Sequence, residues 1–189
     1  MNPAPALVLA IDLGSSGPKA ALVRSDGKFV SAASRRVDTF RLPDGSAEQE
    51  AERIWRAVLD AAVQVMSESK VGGGRVAGVA VTSQFSSIVP VDREGLPLMN
   101  LILWMDRRGA PYERQIYQRH SDALETWIEV HGRRPSPSGG DSLAHILFVQ
   151  KERPEVYAAT HAFLEPMDYL TMRLTGECTA NLCTAFRPF

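Results

Sequence analysis

The stretch from Leu7 to Lys19 narrows the possible folds more than any other part of the chain. Leu7-Val8-Leu9-Ala10-Ile11 is an unbroken apolar run that predicts a buried strand. Asp12 ends the run, Leu13-Gly14-Ser15-Ser16-Gly17-Pro18-Lys19 supplies a tight turn, and Ala20-Ala21-Leu22-Val23 resumes as a second strand. The reading is therefore strand, turn, strand, with Asp12 at the strand tip. Successive backbone N–H groups in such a turn can form a concave anion nest, and two glycines let the backbone approach a ligand closely. A carboxylate beside that nest suits Mg²⁺, which is usually held by one or two carboxylates together with phosphate oxygens. An ordinary hairpin with a solvated Asp would carry the same residues, so the loop alone leaves both readings open. Two familiar phosphate loops are excluded. No G-x-x-x-x-G-K is present, and the turn leads to a strand instead of the helix that a dinucleotide fingerprint requires.

The rest of the chain bounds its class. With 189 residues it can fill one good core or a large part of a bigger one. A hydrophobic fraction of 44% and a charged fraction of 23% are ordinary for a globular protein. The formal net charge of −1 gives no general attraction to nucleic acid or anionic membrane. No apolar run approaches the roughly 20 residues that span a bilayer, and no basic segment precedes an uninterrupted apolar stretch as in a signal peptide. A cytoplasmic location is the default expectation. Cys178 and Cys183 are too few for a disulfide framework and lack the second pair of a zinc site, so they are expected to be reduced thiols.

In chain order, Asp26-Gly27 predicts a turn into a third strand around Phe29–Ala33, making an antiparallel meander. Ser46 followed by Gln49 has the form of a capping box, which predicts that the clearest helix begins at Ser46 and ends near Ser69. Ala51, Ile54, Trp55, Val58, Leu59, Ala62, Val65 and Met66 give that helix its apolar face. Val76 to Val81 is almost entirely small and apolar and suits a strand covered on both faces. Shorter strands are expected at 88–91, 101–104 and 161–164. Helices are expected at 109–119, 122–131, from an Asp141 cap, at 154–159, and from Pro166 to a Gly176 C-cap. Three polar segments, 12–17, 82–87 and 105–108, each follow an apolar strand, and ligands of open α/β sheets sit at strand ends.

Taken as an ordered series, these stretches resemble the N-terminal domain of the FGGY carbohydrate kinases. Ile11-Asp12-Leu13-Gly14-Ser15-Ser16 resembles the family's first phosphate loop, and Ala47-Glu48-Gln49-Glu50 the segment before its first helix. Val81-Thr82-Ser83-Gln84 resembles the loop that grips the polyol, and Pro90 to Leu98 the hairpin that follows. Ile102-Leu103-Trp104-Met105-Asp106-Arg107-Arg108 is similar to the I-L-W-x-D-x-R signature. Pro154-Glu155-Val156-Tyr157, Phe163 to Leu170 and Arg173-Leu174-Thr175-Gly176 resemble the later half of the domain.

The resemblance implies an α/β fold of the RNase H-like, actin-like ATPase type: a mixed sheet with flanking helices, here incomplete. It implies transfer of the ATP γ-phosphoryl to a sugar or polyol hydroxyl. Asp12 would lie near Mg²⁺, Gly14, Ser15 and Ser16 by the phosphates, and Lys19 where a cation reaches ATP. Gln84, Phe85 and Ser86 align with sugar-gripping positions, although Phe85-Ser86 departs from the usual pairs there. Asp106 is expected to accept hydrogen bonds from adjacent hydroxyls, with a salt bridge to Arg108 as its alternative, and Trp104 to face the sugar or the core. Gln84 and Asp106 are expected to point into one cleft. The family's catalytic base, second phosphate loop and adenine pocket lie in segments that this sequence does not contain. Residues 1–189 are thus expected to be a partial N-terminal domain: the sugar-binding side with one phosphate loop, no catalytic base, and a homodimer as a possible assembly. Two other readings remain open at this point: a non-catalytic sugar- or nucleotide-binding remnant acting through a partner, and an actin-like ATPase module of another branch.

Overall fold

A computed structural model of the chain describes residues 5–120 and 122–181. In chain order its elements are β1 (Leu7–Gly14), β2 (Gly17–Arg24), β3 (Phe29–Ser34), β4 (Phe40–Arg41), β5 (Ala47–Gln49), α1 (Ala51–Ser69), β6 (Val76–Ser83), β7 (Val89–Val91) and β8 (Leu101–Ile102). There follow α2 (Ala110–Arg119), α3 (Ala123–His131), α4 (Ser142–Glu152), α5 (Pro154–Ala159), β9 (Ala162–Leu164) and α6 (Pro166–Thr175). They fall into two compact units. One comprises the chain up to Asp38 with Ala51–Gln84; the other comprises Thr39–Glu50 with the chain from Phe85 onward.

The first unit is a four-stranded mixed sheet in the order β3-β2-β1-β6, with β6 parallel to β1 and the other pairs antiparallel. Alternation in β1 sends Leu7, Ile11 and Leu13 to one face, level with the buried Ala20 and Leu22 of β2. Helix α1 closes that face with Ala61 and Val65, and the small Ala20 and Ala61 leave room for the helix to sit close. The opposite face carries Val8, Ala10 and Asp12. At the hairpin Gly14 pairs with Gly17, leaving Ser15 and Ser16 as a two-residue turn. Gly17 stands at φ +124°, and a Cβ there would lie 2.2 Å from the Arg35 carbonyl oxygen. The chain beyond β3 is bound to this spot, because the Arg35 N–H donates to the Pro18 carbonyl and the Val37 N–H to that of Ser16. Gly17 is therefore required by the packing of residues 35–37.

The second unit holds a three-stranded sheet, β4-β5-β8, a two-stranded sheet, β7-β9, and helices α2 to α6. Its core is Ile88, Ile102, Phe148 and Val149, with Tyr112, Ile146 and Phe163 packed against them. Tyr169 and Leu170 of α6 are fully buried.

Four expectations need correction. The helix begins at Ala51, not at Ser46: Ala47–Gln49 form β5, paired with β4 and β8, and the buried Gln49 side chain donates to Thr39 Oγ1 at 3.1 Å. Strand pairing with residues some fifty positions away overrides the local Ser-x-x-Gln pattern. Strand β6 is not covered on both faces, since Ala77, Gly78, Val79 and Ala80 are exposed. An all-apolar run cannot state which face, if either, is covered. The buried stripe of α1 runs through Ala51, Ile54, Ala57, Val58, Ala61 and Val65, and Leu59 is exposed. Asp141 precedes α4 but does not cap it with its side chain: Arg133 and the Ser136 N–H hold its carboxylate instead. Cys178 is an exposed free thiol, and Cys183 lies outside the described residues.

Candidate functional site

In the first unit, register places polar residues side by side. Asp12 pairs with Lys19 on β2 and with Thr82 on β6, and Lys19 pairs with Ser34 on β3. One polar row, Thr82-Asp12-Lys19-Ser34, thus crosses four strands on the face away from α1. Asp12 sits within β1, two residues before its end. Lys19 Nζ lies 3.7 Å from Asp12 Oδ2, with side-chain exposures of 73% and 53%, so both groups are accessible and the pair is weak. A Cβ built on Gly14 would meet only the Gly17 carbonyl, at 3.9 Å, which leaves space beside the hairpin. The Gln84 N–H donates to the Leu13 carbonyl at 2.7 Å, so the end of β6 is tied to the end of β1. Both polar atoms of the Gln84 side-chain amide are enclosed and have no hydrogen-bond partner among the described residues. A buried amide left unpaired costs about 1–3 kcal/mol, and a ligand hydroxyl would satisfy it.

These residues fit a metal–phosphate group in a limited sense. Among the described residues no group of three or more His, Cys, Asp and Glu could hold a metal. Asp12 alone would hold Mg²⁺ only together with phosphate oxygens, which is how Mg²⁺ is usually bound beside nucleotides.

In the second unit the structure brings the 85–87 and 104–108 segments together: the Trp104 N–H donates to Ser87 Oγ at 3.0 Å. Phe85 and Trp104 expose their rings, while Ser86 is buried with φ +59°, a left-handed conformation unusual for serine. Gly140 packs against this segment, because a Cβ there would lie 2.3 Å from the Trp104 carbonyl oxygen.

Asp106 is 1% exposed, and its carboxylate is occupied. Oδ2 accepts from the Ala47 N–H at 2.9 Å and Arg108 NH2 at 2.7 Å; Oδ1 accepts from the Arg108 backbone N–H at 3.0 Å and from Arg108 Nε at 3.1 Å. Arg108 also donates to Glu48 Oε1 at 2.5 Å and stacks over Phe148, 4.3 Å from the ring centroid. A sugar hydroxyl could reach the Asp106 carboxylate only by displacing one of these donors. Beneath it, the Asp106 carbonyl lies 3.4 Å from Nε2 of His145, which is fully buried. Burial pushes the His145 imidazole down to about 4.

Sequence reasoning did not single out Glu48, Ser87, Ser142, His145 or Glu165 as part of this constellation. Glu165 Oε1 accepts from Ser142 Oγ at 2.8 Å and Oε2 from the Ser87 N–H at 3.4 Å. Burial pushes the Glu165 carboxyl up to about 7, with Asp168 adding to the rise and its donors opposing it. The partners lie far apart in sequence, so no local pattern signals them.

The family model for the N-terminal domain of the FGGY family of carbohydrate kinases matches residues 7–187. The chain belongs to this family. It is 30% identical over 169 residues to the xylulose kinase of Bacillus subtilis, which covers 89% of this chain and 33% of that protein. It is also 30% identical over 180 residues to the xylulose kinase of Lactococcus lactis, covering 95% of this chain and 34% of the relative. The FGGY chain is similar in structure to the gluconate kinase of Lactobacillus acidophilus, with a TM-score of 0.80, 20% identity, and coverage of 92% of this chain and 34% of that one. The ligand-bound xylulose kinase of the same organism gives a TM-score of 0.78 at 21% identity, over 91% and 34% of the two chains. The mixed sheet with flanking helices is thus that of the actin-like ATPase fold, and the chain spans about a third of the length of these relatives. Among the described residues no helix is long and apolar enough to cross a membrane.

Proposed function

We propose that this chain forms the sugar-binding side and first phosphate loop of an ATP-dependent sugar or polyol kinase. The observation that carries the reading is the accessible Asp12–Lys19 pair beside the Gly14–Gly17 hairpin, in a chain of the FGGY family. When bound, Mg-ATP supplies the phosphoryl group and the metal that neutralises it. Asp12 would hold the metal together with phosphate oxygens, Gly14, Ser15 and Ser16 would lie by the phosphates, and Lys19 would offset their charge. Phosphoryl transfer of this kind is mostly positioning and charge stabilisation. Gln84 supplies hydrogen bonds to sugar hydroxyls from the first unit, and Phe85, Ser86 and Trp104 are the sugar-facing residues of the second. Asp106 serves this site by fixing the 104–108 loop through Arg108, its hydrogen bonds to substrate requiring exchange of an internal donor. Because several relatives are xylulose kinases, D-xylulose is the first substrate to test, followed by glycerol and gluconate.

The proton acceptor for the sugar hydroxyl, the adenine pocket and the second wall of the cleft come from outside this chain in this reading. A general base alone is worth roughly 10²–10⁴ in rate. In this reading the 189-residue chain on its own is expected to show no sugar-dependent turnover. Soluble cytoplasmic metabolism is the setting that suits it, with self-association through the exposed β6 side as its expected behaviour in isolation.

Ligand-observed NMR with D-xylulose, glycerol and gluconate tests the binding half. Saturable binding of at least one, weakened by Gln84→Ala, supports the reading; no binding of any defeats it. A coupled ADP-release assay over the same panel with Mg-ATP tests the other half. Sugar-dependent turnover that Asp12→Asn abolishes would overturn the claim of inactivity and establish the kinase in this chain alone.

A further inference from the structure

We infer that Glu165 is a positioning residue for the sugar pocket: its buried carboxylate holds the Phe85–Ser87 segment and, through Ser87, the backbone of Trp104. The inference rests on the reading of Phe85–Ser87 as part of a sugar site. Its grounds are geometric. Glu165 stands at the N-cap of α6, with Pro166 at the first helical position, yet makes no side-chain cap to its own helix. Side chains that cap at that position are the short Ser, Thr, Asp and Asn, and Glu165 is one methylene longer than Asp and reaches past the helix's free N–H groups. Here the carboxylate turns away and joins two other segments, accepting from Ser142 Oγ at the start of α4 and from the Ser87 N–H. Ser87 then accepts from the Trp104 N–H through its hydroxyl. One carboxylate thus links α6, α4, the segment before β7 and the segment after β8.

Nothing else in its surroundings explains why an acid stands there. Among the described residues the Glu165 oxygens meet hydroxyl and amide donors and no cation. The titratable neighbour is Asp168, another acid, which disfavours ionisation. A buried carboxylate in such company costs stability compared with an apolar residue of similar size. What it supplies is a fixed geometry for donors on three segments, a use for which buried polar networks are suited. The segment it holds needs fixing, since Ser86 sits in the left-handed region that a non-glycine residue leaves when released. The Ile88–Ile102 bridge, bonded at 2.9 Å in both directions, fixes the two segments just beyond Ser87, and Glu165 extends that fixing to the Ser87 end, where Phe85 and the Trp104 backbone stand.

The test compares wild type, Glu165→Met and Ser142→Ala. Met keeps the length of the side chain and accepts from neither donor, whereas Gln could still accept from the Ser87 N–H while donating to the Ser142 hydroxyl. Ser142→Ala leaves Glu165 in place and removes one partner, so it remains informative where Glu165→Met folds poorly. Amide hydrogen exchange at Ser87 and Trp104 is measured against Val89 and Leu164, which pair across β7 and β9 and serve as internal references. Exchange at Ser87 and Trp104 is expected to rise about fivefold in Glu165→Met, the equivalent of one lost hydrogen bond of ordinary strength, and less in Ser142→Ala. Binding of D-xylulose, followed by ligand-observed NMR, is expected to weaken in the same order, while nucleotide binding stays constant. Exchange within twofold of wild type in both variants overturns the inference, as does faster exchange with unchanged sugar affinity. If wild type binds no sugar, the kinase reading fails. The exchange ratio then still decides by itself whether Glu165 fixes the segment.

Discussion

Replacing Asp106 by Asn tests whether this residue serves the fold or faces outward. The side chain swells by nothing, but one acceptor oxygen becomes an NH₂ donor and the charge is lost. Whichever way the amide turns, donors are left facing a donor. With the amide oxygen toward the Arg108 backbone N–H and Nε, the NH₂ group meets the buried Ala47 N–H and Arg108 NH2, now 2.9 and 2.7 Å from Oδ2. An orphaned buried N–H costs about 1–3 kcal/mol. Removing one partner of a buried ion pair costs about 3–5 kcal/mol. Arg108 keeps Glu48 and the Phe148 ring, and its head is 12% exposed, so the second figure is an upper bound here. The two contributions overlap in the same donors, and the expected loss is about 3 kcal/mol. Urea unfolding at neutral pH, followed by Trp fluorescence, should show it. With a slope of about 1–3 kcal/mol per M, the midpoint falls by roughly 1–3 M. An exposed acid whose main partner is a ligand would lose under about 1 kcal/mol. A midpoint within 0.3 M of wild type, roughly the noise of such extrapolations, would refute the argument that these bonds are internal and strong.

Three further outcomes concern stability. Burial pushes the His145 imidazole down to about 4 from its ordinary 6.5, so the unfolded chain binds its proton first as pH falls. Its contribution is complete above about 6.5 and is lost as pH drops toward 4, at up to about 1.4 kcal/mol per pH unit, and urea midpoints of His145→Phe should lack that slope. Glu113 has the opposite sign: burial pushes it up to about 7, with Asp141 adding to the rise, so its contribution is present below about 4.5 and lost as pH climbs through 7. Midpoints of Glu113→Gln between pH 5 and 8 should fall less than those of wild type. Gly17→Ala places a methyl group 2.2 Å from the Arg35 carbonyl at φ +124° and should cost about 2 kcal/mol or more, read as a drop in melting temperature.

The first hairpin was legible because all its determinants are contiguous. The first apolar run, the Gly/Ser turn and the second apolar run follow one another directly, and the structure reproduces strand, turn and strand, with Asp12 inside β1 instead of at its tip. The meander to β3 and the Pro166 to Gly176 helix were legible for the same reason. The segment before α1 was not. Ser46 and Gln49 carry a local helix-start pattern, but Glu48 pairs with Ile102 and Gln49 with Leu101, and that pairing decides. Periodicity also failed where it was absent: the small apolar run of β6 names no face, and the fold leaves it exposed.

The site divides along the same line. The Asp106–Arg108 contact spans two residues and could be anticipated, but the Ala47 N–H and Glu48 that complete it come from about sixty positions away. That distance changes the meaning of the residue. An Asp beside one Arg on a loop has a free oxygen for a hydroxyl; an Asp that also receives a backbone N–H and shares its Arg with Glu48 has none to spare. Glu165 shows the reverse. In sequence it is an acid before Pro166 and reads as a helix start, whereas in the fold its carboxylate reaches Ser87, 78 residues away, and Ser142. Specificity for a polyol depends on where rings and amides stand to within about half an ångström. Under the proposed reading, that spacing is set by carboxylates that need not touch the sugar. On it, changes at Glu165 or Asp106 are expected to alter sugar binding before they alter phosphate binding at the Asp12 hairpin.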